Sequence, residues 1–499
     1  MFKCLSKQCF SHSSLAAVCS SPRIRQVGIF KQFEQNQSNR RSIIHRVNPS
    51  SSETSSICSA TTFHPSLPSD NTTTRLMGMS KNEMKQLLEK THPHIASSFR
   101  LDEIYKFMYK FGARNFDDIT VLSKADRKSL SEFYSIDLVG NIEEEVLSKK
   151  DKHTRKFLFA FENPKFLKSE NQQSAHATCK DHDADVDTKT ISSSKKLTKQ
   201  QKPFNKVEAV YIYHPPKATD YFGRGTVCLS SQVGCSLSCA FCRTGTTPIE
   251  RNLLASEIVS QLVSIKHHLQ DFPIYMNEDE RKKATTEKSL VNNIVFMGEG
   301  EPLYNYKNVK KACEILSDGC GISKRKVIVS TSGVCNLIPD VVNELGVNLA
   351  ISLHATTNEL RDKLVPLNKI FPIEVLFDTI REKCFKNNTR HITFEYVMLD
   401  HVNDFIDDAQ RLVHLVKDIP CSVNLIAFNE WEGSGFKCSP NERIEDFSKF
   451  LYRHGINAPI RYSKGQDILG ACGQLKNRNE NKESVVLQKK VATTLKTSI

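Results

Sequence analysis

Cys235-Ser236-Leu237-Ser238-Cys239-Ala240-Phe241-Cys242 sets three thiols on one loop at C-x3-C-x2-C spacing. Three thiolates so spaced reach three irons of a cubane cluster, for which thiolate is the usual protein ligand. The fourth iron then has no protein ligand and stays open to a small molecule. A structural zinc ion is the alternative, although such a site normally takes four ligands. Cys228 is a further thiol nearby, on the segment that leads into the loop.

Working outward from the loop, short apolar runs at 226–231, 293–297, 327–330, 349–353, 392–397 and 423–428 alternate with amphipathic stretches such as 254–269, 307–317, 374–387 and 404–417. Repeated strand–helix alternation predicts a parallel sheet with right-handed crossovers. About six such units curl into an α/β fold, a partial (β/α)6 barrel, whose chemistry sits at the C-terminal ends of its strands. The cysteine loop follows the first strand. Gly298-Glu299-Gly300-Glu301 follows the second, with glycines that let the backbone approach a ligand and carboxylates that can accept from an ammonium group. Ser330, then Ser352-Leu353-His354, then Asn429 end later strands. Polar groups converging on one mouth suit a polar cofactor, while any one of them alone reads as readily as a strand-end cap.

The chain has 499 residues, enough for more than one domain, with 39% hydrophobic residues, a formal net charge of +13 and a pI of about 8.9. The basic excess suits a polyanionic partner, because Lys and Arg displace phosphate counterions; part of it sits in terminal segments. No apolar run reaches the roughly 18 residues of a membrane span, so no membrane partner is expected. Sixteen cysteines without a secretory signal point to metal and redox chemistry and away from a disulfide framework. Residues 1–75 are Ser-rich, and through residue 52 Glu34 is the only acid among Lys3, Lys7, Arg23, Arg25, Lys31, Arg40, Arg41 and Arg46. That is the composition of a disordered organelle transit peptide. Residues 80–150 read as a small helical accessory domain, with Met84, Leu87, Leu88 and then Ile104, Phe107, Met108, Phe111 at helical spacing and Gly112 as a C-cap. Residues 151–225 read as a β-hairpin connector, strands 155–161 and 207–213, interrupted by a polar insertion at 168–203 that cannot bury enough surface to order itself. A second insertion falls at 273–289. The core spans 226–476, and 477–499 reads as a loose basic tail.

Seven stretches taken together resemble the RlmN-type radical S-adenosylmethionine (SAM) methyltransferases: CLSSQVGCSLSCAFCRTGT, FMGEGEPLYN, VSTSGV, LAISLHATTNELRDKLVPLNK, ITFEYVMLDHVND, VNLIAFNEWEGS and GQDILGACGQLK. The aromatic Phe241 before the last loop cysteine is typical of radical SAM loops. The resemblance covers about 80 to 476, with the two insertions as extra. CRTGT and the NEWEGS stretch are nearest the alphaproteobacterial members. With the presequence, this favours a mitochondrial enzyme, a plastid being second.

The resemblance implies methyl transfer to C2 of adenine in 23S-type rRNA and in tRNA, with a [4Fe-4S] cluster and SAM as cofactors, RNA as partner, a flavodoxin or ferredoxin as electron donor, and a monomeric state. It assigns Cys235, Cys239 and Cys242 to the cluster, and Gly300, Glu301, Ser330, Ser352, Leu353, His354 and Asn429 to SAM. It makes Cys472 the cysteine that becomes S-methylated, Cys228 its resolving partner and Glu208 the proton acceptor. Three features depart from the family. Glu299 stands where Met is usual, Arg243 replaces a smaller or neutral residue, and the 213–221 loop lengthens the path from Glu208 to Cys228. A Cfr-type adenine-C8 methyltransferase uses the same chemistry, and a non-catalytic RNA-binding or ribosome-assembly protein, or a zinc-stabilised RNA binder, are readings from other classes.

Overall fold

The computed structural model describes residues 73–163, 204–216, 223–276, 289–384, 391–475 and 482–497, all within the unit Asn71–Ile499. The transit-peptide reading, the 168–203 insertion and most of the 273–289 insertion lie outside the described residues.

The N-terminal helices form for local reasons. Ser80 opens Lys81–Thr91 with a capping box, its hydroxyl accepting the Glu83 N–H at 3.3 Å while the Glu83 carboxylate accepts the Ser80 N–H at 2.8 Å. Ser98–Lys106 runs into a π-turn, Phe107–Phe111, and Gly112 closes it in the left-handed region at φ 82°, as the C-cap reading expects. Lys124–Phe133 is the third helix. Met84, Leu88, Ile104 and Met108 are wholly buried in the common core. Strand β1 (Thr74–Arg75) pairs in parallel with β2 (Tyr134–Ser135) and ties the two ends of this region together. The helical region does not extend to 150: Asn141–Leu147 is strand β3, at one edge of the main sheet. Its Glu143, Glu144 and Glu145 mask the strand pattern, and charges on an edge strand discourage further pairing.

The two strands read at 155–161 and 207–213 are present. Strand β4 (Arg155–Glu162) pairs antiparallel with β3 and with β5 (Phe204–His214), and β5 pairs antiparallel with β6 (Arg224–Cys228), with Val210 opposite Cys228. Two short strands, β7 (Gln232–Val233) and β8 (Arg251–Asn252), pair with each other and pinch the base of the cysteine loop. From β6 the sheet continues in parallel through β9 (Asn293–Phe296), β10 (Val327–Thr331), β11 (Asn348–Ser352), β12 (Ile392–Met398), β13 (Cys421–Ala427) and the short β14 (Ile460–Arg461). All six predicted strands of the core are present, and β14 is a seventh. The crossover segments carry helices such as Ala255–His268, Tyr306–Asp318 and Ile406–Val416.

Alternation along each strand divides the sheet. One set of side chains packs under the helices, as where Phe377 stacks on Phe394 at 5.3 Å; burying such a side chain contributes roughly 2–3 kcal/mol. The other set, including Thr226, Val295, Ser330, Val397 and Ile426, lines one cavity. The barrel stays open as a sheet and is bridged by loop contacts along a seam. The segment after β14 meets the β5–β6 hairpin, Lys464 Nζ donating to the Tyr213 carbonyl at 2.9 Å, and Asp467 accepts from the Ser148 hydroxyl at 2.7 Å and the Lys149 N–H at 2.8 Å.

The tail reading needs correction. Lys482–Thr497 is a helix with Gln488, Ala492 and Leu495 buried at helical spacing. Its many lysines conceal that apolar stripe in the sequence.

Candidate active site

The cavity has a volume of about 410 Å³. Cys235, Cys239 and Cys242 form part of its wall, with Gly300, Glu301, Ser330, Ser352, His354, Asn429 and Cys472 around them. Sequence positions scattered over more than 230 residues are therefore brought to one place by the strand ends.

The cysteine loop is held along its backbone. Cys235 N–H donates to the Thr247 carbonyl at 3.0 Å, Ala240 N–H to Leu364 O at 3.0 Å and Cys242 N–H to Cys239 O at 3.1 Å. Ser238 takes a positive φ of 47° to turn the chain between the cysteines. Burial pushes the Cys235 thiol up to about 12. It raises Cys239 well above the usual thiol range, and the neighbouring Cys242 and Cys235 add to the rise while Arg361 opposes it. Three thiolates this close repel one another until positive charge is supplied, which iron in a cluster does. No three His, Cys, Asp or Glu side chains among the described residues are gathered around a point that could hold a single metal ion. Cys228 does not join the three: it is buried against Val210 and Leu475, and the charge that most raises its thiol, after burial, is Cys472. With three thiols on one loop and Cys228 apart from them, the donor set fits a cubane with one open iron.

The strand-end residues divide into those that face the cavity and those that build it. Gly300 adopts φ +97°, and a Cβ there would meet Gln232 Cβ at 2.5 Å, so only glycine fits. The buried Glu301 accepts the Leu303 N–H at 3.0 Å and the Ser332 N–H at 2.8 Å; burial raises its carboxyl against those bonds. His354 sits at φ 59°, edge-on to Phe241 at 4.7 Å. Its Nδ1 accepts the Val397 N–H at 3.1 Å, which leaves the proton on Nε2. Burial, then Arg361, pushes its pKa down to about 3, so the ring is neutral. Leu353 is buried away from the cavity wall, its carbonyl accepting from Arg361 Nε at 3.0 Å. Asn429 lines the cavity and also holds the Cys472 loop: its Nδ2 donates to Ser463 Oγ at 2.9 Å and to the Cys472 carbonyl at 3.1 Å.

Cys472 is held from several sides. Arg243 N–H donates to Gly473 O at 2.8 Å, the Thr244 hydroxyl to Leu475 O at 2.8 Å, and Gln474 Nε2 to Glu430 O at 2.8 Å. The residue is open to solvent, yet the cavity wall still withholds enough water to push its thiol up to about 11, with Glu395 and then Cys242 adding to the rise.

Glu208 does not line the cavity. It is buried on β5 in an ion pair with Lys156, Nζ to Oε1 2.8 Å. The 213–221 insertion does not separate it from Cys228, because the hairpin register fixes their spacing. The departure at Glu299 acquires a role. Its side chain is fully buried and Oε1 accepts the Glu208 N–H at 2.8 Å; its own N–H donates to Ser230 Oγ at 2.8 Å, and that hydroxyl donates to Glu208 O at 2.6 Å. These bonds form a closed ring between β5 and the loop after β9. Burial pushes the Glu299 carboxyl up to about 8.

Two further residues are not singled out by sequence reasoning. Arg361, fully buried, donates to Leu353 O, Asn368 Oδ1, Ser332 O and Ser352 O, tying the ends of β10 and β11 together. Glu395 lines the cavity, takes a 2.9 Å bond from Asn424 Nδ2, and is pushed by burial up to about 7. Both lie in quoted stretches, but their neighbours come from distant strands. On the seam side, His214, Arg224, Arg461 and Lys464 line the same cavity. Burial and then these three cations push His214 down to about 4, with Asp151 opposing.

Residues 229–416 match the Radical SAM superfamily, and residues 74–136 match the ribosomal RNA large subunit methyltransferase N-terminal domain. The chain is 40% identical over 410 residues to the dual-specificity RNA methyltransferase RlmN of Rhodopseudomonas palustris (strain BisB5), covering 81% of this chain and 90% of that one. It is 41% identical over 414 residues to RlmN of Bartonella quintana (strain Toulouse), covering 81% and 88%. Among solved structures, a radical SAM methyltransferase from Sphaerobacter thermophilus superposes with a TM-score of 0.62 at 31% identity, covering 81% of this chain and 99% of that one. With this fold, this cavity and these relatives, the chain belongs to the RlmN family of dual-specificity RNA methyltransferases, radical SAM enzymes whose cofactors are S-adenosylmethionine and a [4Fe-4S] cluster.

Proposed function

We propose that this protein methylates C2 of adenine in large-subunit rRNA, with tRNA as a second substrate, and that Cys472 carries the methyl group. The observation that supports this most is that Cys472 and the three loop cysteines line one cavity. In this reading Cys235, Cys239 and Cys242 hold the cluster, and Gly300, Glu301, Ser330, Ser352, His354 and Asn429 surround SAM. When bound, the two cofactors together supply the means to take a hydrogen atom from an unactivated methyl group. Cys472 acts first as a nucleophile, its thiolate taking a methyl group by displacement and keeping it as a thioether. The thioether carbon, after losing one hydrogen atom, adds to C2, a ring position too electron-poor for direct methyl transfer. Loss of the C2 proton needs a base, and release of Cys472 needs a second thiol. In this reading Cys228 and Glu208, which sit on adjacent strands outside the cavity wall, take these jobs.

The cationic seam supports a polyanion as substrate: Arg224, Arg461 and Lys464 stand where backbone phosphates would offset their mutual repulsion. A single adenine reaches the cavity only when unstacked, so loops and single-stranded ends are the targets. The reading places the enzyme in a mitochondrion, on presequence composition, as a monomer that takes electrons from a flavodoxin or ferredoxin. Mass spectrometry of organelle rRNA and tRNA after loss of the protein tests it. The expected result is loss of 2-methyladenosine; unchanged 2-methyladenosine overturns the proposal, and loss of 8-methyladenosine instead reassigns the target carbon.

A further inference from the structure

The helix Lys482–Thr497 lies against the cysteine loop. Gln488 is its decisive residue. Flanked by Leu487, Lys489 and Lys490, which are exposed, it is only 4% exposed. Its Nε2 donates to the backbone carbonyls of Cys239 at 2.9 Å and Cys242 at 3.1 Å. One NH2 group with two hydrogens can serve two carbonyls at once, which neither a carboxylate nor a hydroxyl can do. One of the two carbonyls between these cysteines, Phe241 O, is taken by Trp431 Nε1 at 3.0 Å. The Gln488 Oε1 atom is buried with no hydrogen-bond partner among the described residues, an arrangement that costs stability and that a helix placed merely to cover apolar surface has no reason to carry.

The seat of the helix is built for it. A Cβ at Gly433 would meet Val485 Cγ1 at 2.8 Å, one at Gly435 would meet Ala492 Cβ at 2.9 Å, and one at Gly245 would meet Gln488 Nε2 at 3.3 Å. The helix therefore bridges the turn after Cys242 and the 429–435 loop that begins at Asn429.

We propose that Lys482–Thr497 is a clamp on the cluster loop and that Gln488 is its positioning residue. Gln488 fixes the backbone that carries Cys239 and Cys242, and the helix keeps solvent and oxidants from that side of the loop. This rests on the reading that the loop holds a [4Fe-4S] cluster.

The test uses the full chain, reconstituted anaerobically with iron and sulfide. Gln488→Leu keeps the shape and removes the donor; Ala492→Asp puts a charge into the buried face of the helix; Leu487→Ala, at an exposed position, is the control. Iron content under anaerobic conditions is expected to match wild type in all three. The rate at which cluster absorbance bleaches in air is expected to rise about fivefold in Gln488→Leu, the factor for loss of about one net hydrogen bond, and at least as much in Ala492→Asp. The electron paramagnetic resonance signal of the reduced cluster is expected to broaden in both and to stay unchanged in Leu487→Ala. Gln488→Leu and Ala492→Asp proteins that bleach at the wild-type rate with an unchanged signal overturn the clamp. A wild-type protein that assembles no iron–sulfur cluster overturns the functional reading, and the clamp with it.

Discussion

The cavity has two sides built on opposite principles. On the cysteine-loop side Glu301, His354 and Asn429 are buried, the loop cysteines, Gly300, Ser330 and Ser352 are half-buried, and hydrogen bonds fix the frame: two N–H groups hold Glu301, the Val397 N–H holds His354, and Arg243, Thr244 and Asn429 hold the loop of the exposed Cys472. On the seam side Arg224 and Arg461 are exposed, and Lys464 donates to the Tyr213 carbonyl. Burial suppresses charge on the first side, raising thiols and carboxyls, whereas the second keeps cations together despite their repulsion. Fixed geometry is what bond-making needs, and accessible positive charge is what capture of a polyanion needs.

The two sides should separate under mutation. Cys472→Ala should lower RNA methylation by at least about 10³-fold, as loss of a nucleophile does, with RNA affinity unchanged in a binding assay. If affinity falls as well, the division is wrong. Arg361→Met should cost about 3 kcal/mol of stability, because four acceptors lose a buried donor; the denaturant midpoint measures this, and RNA binding by the remaining folded protein should be normal. Arg224→Ala or Arg461→Ala should each weaken RNA binding about tenfold and make it less salt-dependent, while SAM cleavage without RNA stays at the wild-type rate. The smallest effect concerns pH. Glu395 and Glu299 have folded pKa values raised to about 7 and about 8 from 4.5. The folded state therefore holds these protons more tightly, and stability should fall as pH rises from about 4.5 through 8. Glu395→Gln and Glu299→Met should each flatten that slope by on the order of 1–2 kcal/mol, read from melting temperatures at pH 5 and pH 6.5.

Much of the cysteine-loop side was legible in the sequence. Spacing announces Cys235, Cys239 and Cys242, and apolar runs locate the six strands whose ends carry Gly300, Ser330, Ser352 and Asn429. What escaped depends on partners far along the chain. Nothing local in NIEEEVL marks β3 as a strand, because it is an edge whose outer positions are charged. Arg361 looks like any surface helix arginine until the ends of β10 and β11 surround it. The helix at 482–497 hides its stripe among lysines, and Cys228, Glu208 and Leu353, to which the resemblance assigns roles, do not line the cavity. The seam was the least legible part. Its four basic residues come from two segments some 240 positions apart that share no pattern.

The hydrogen-bonded ring of Glu208, Glu299 and Ser230 has a consequence for motion. It bolts the hairpin that carries Cys228 to the loop that carries Gly300 and Glu301. A ligand that draws that loop inward must pull the hairpin with it or break a bond in a dry interior. The two halves of the chemistry thus share a single mechanical linkage, and a methionine at 299 would loosen it by removing one of its three bonds while leaving the two that pass through Ser230.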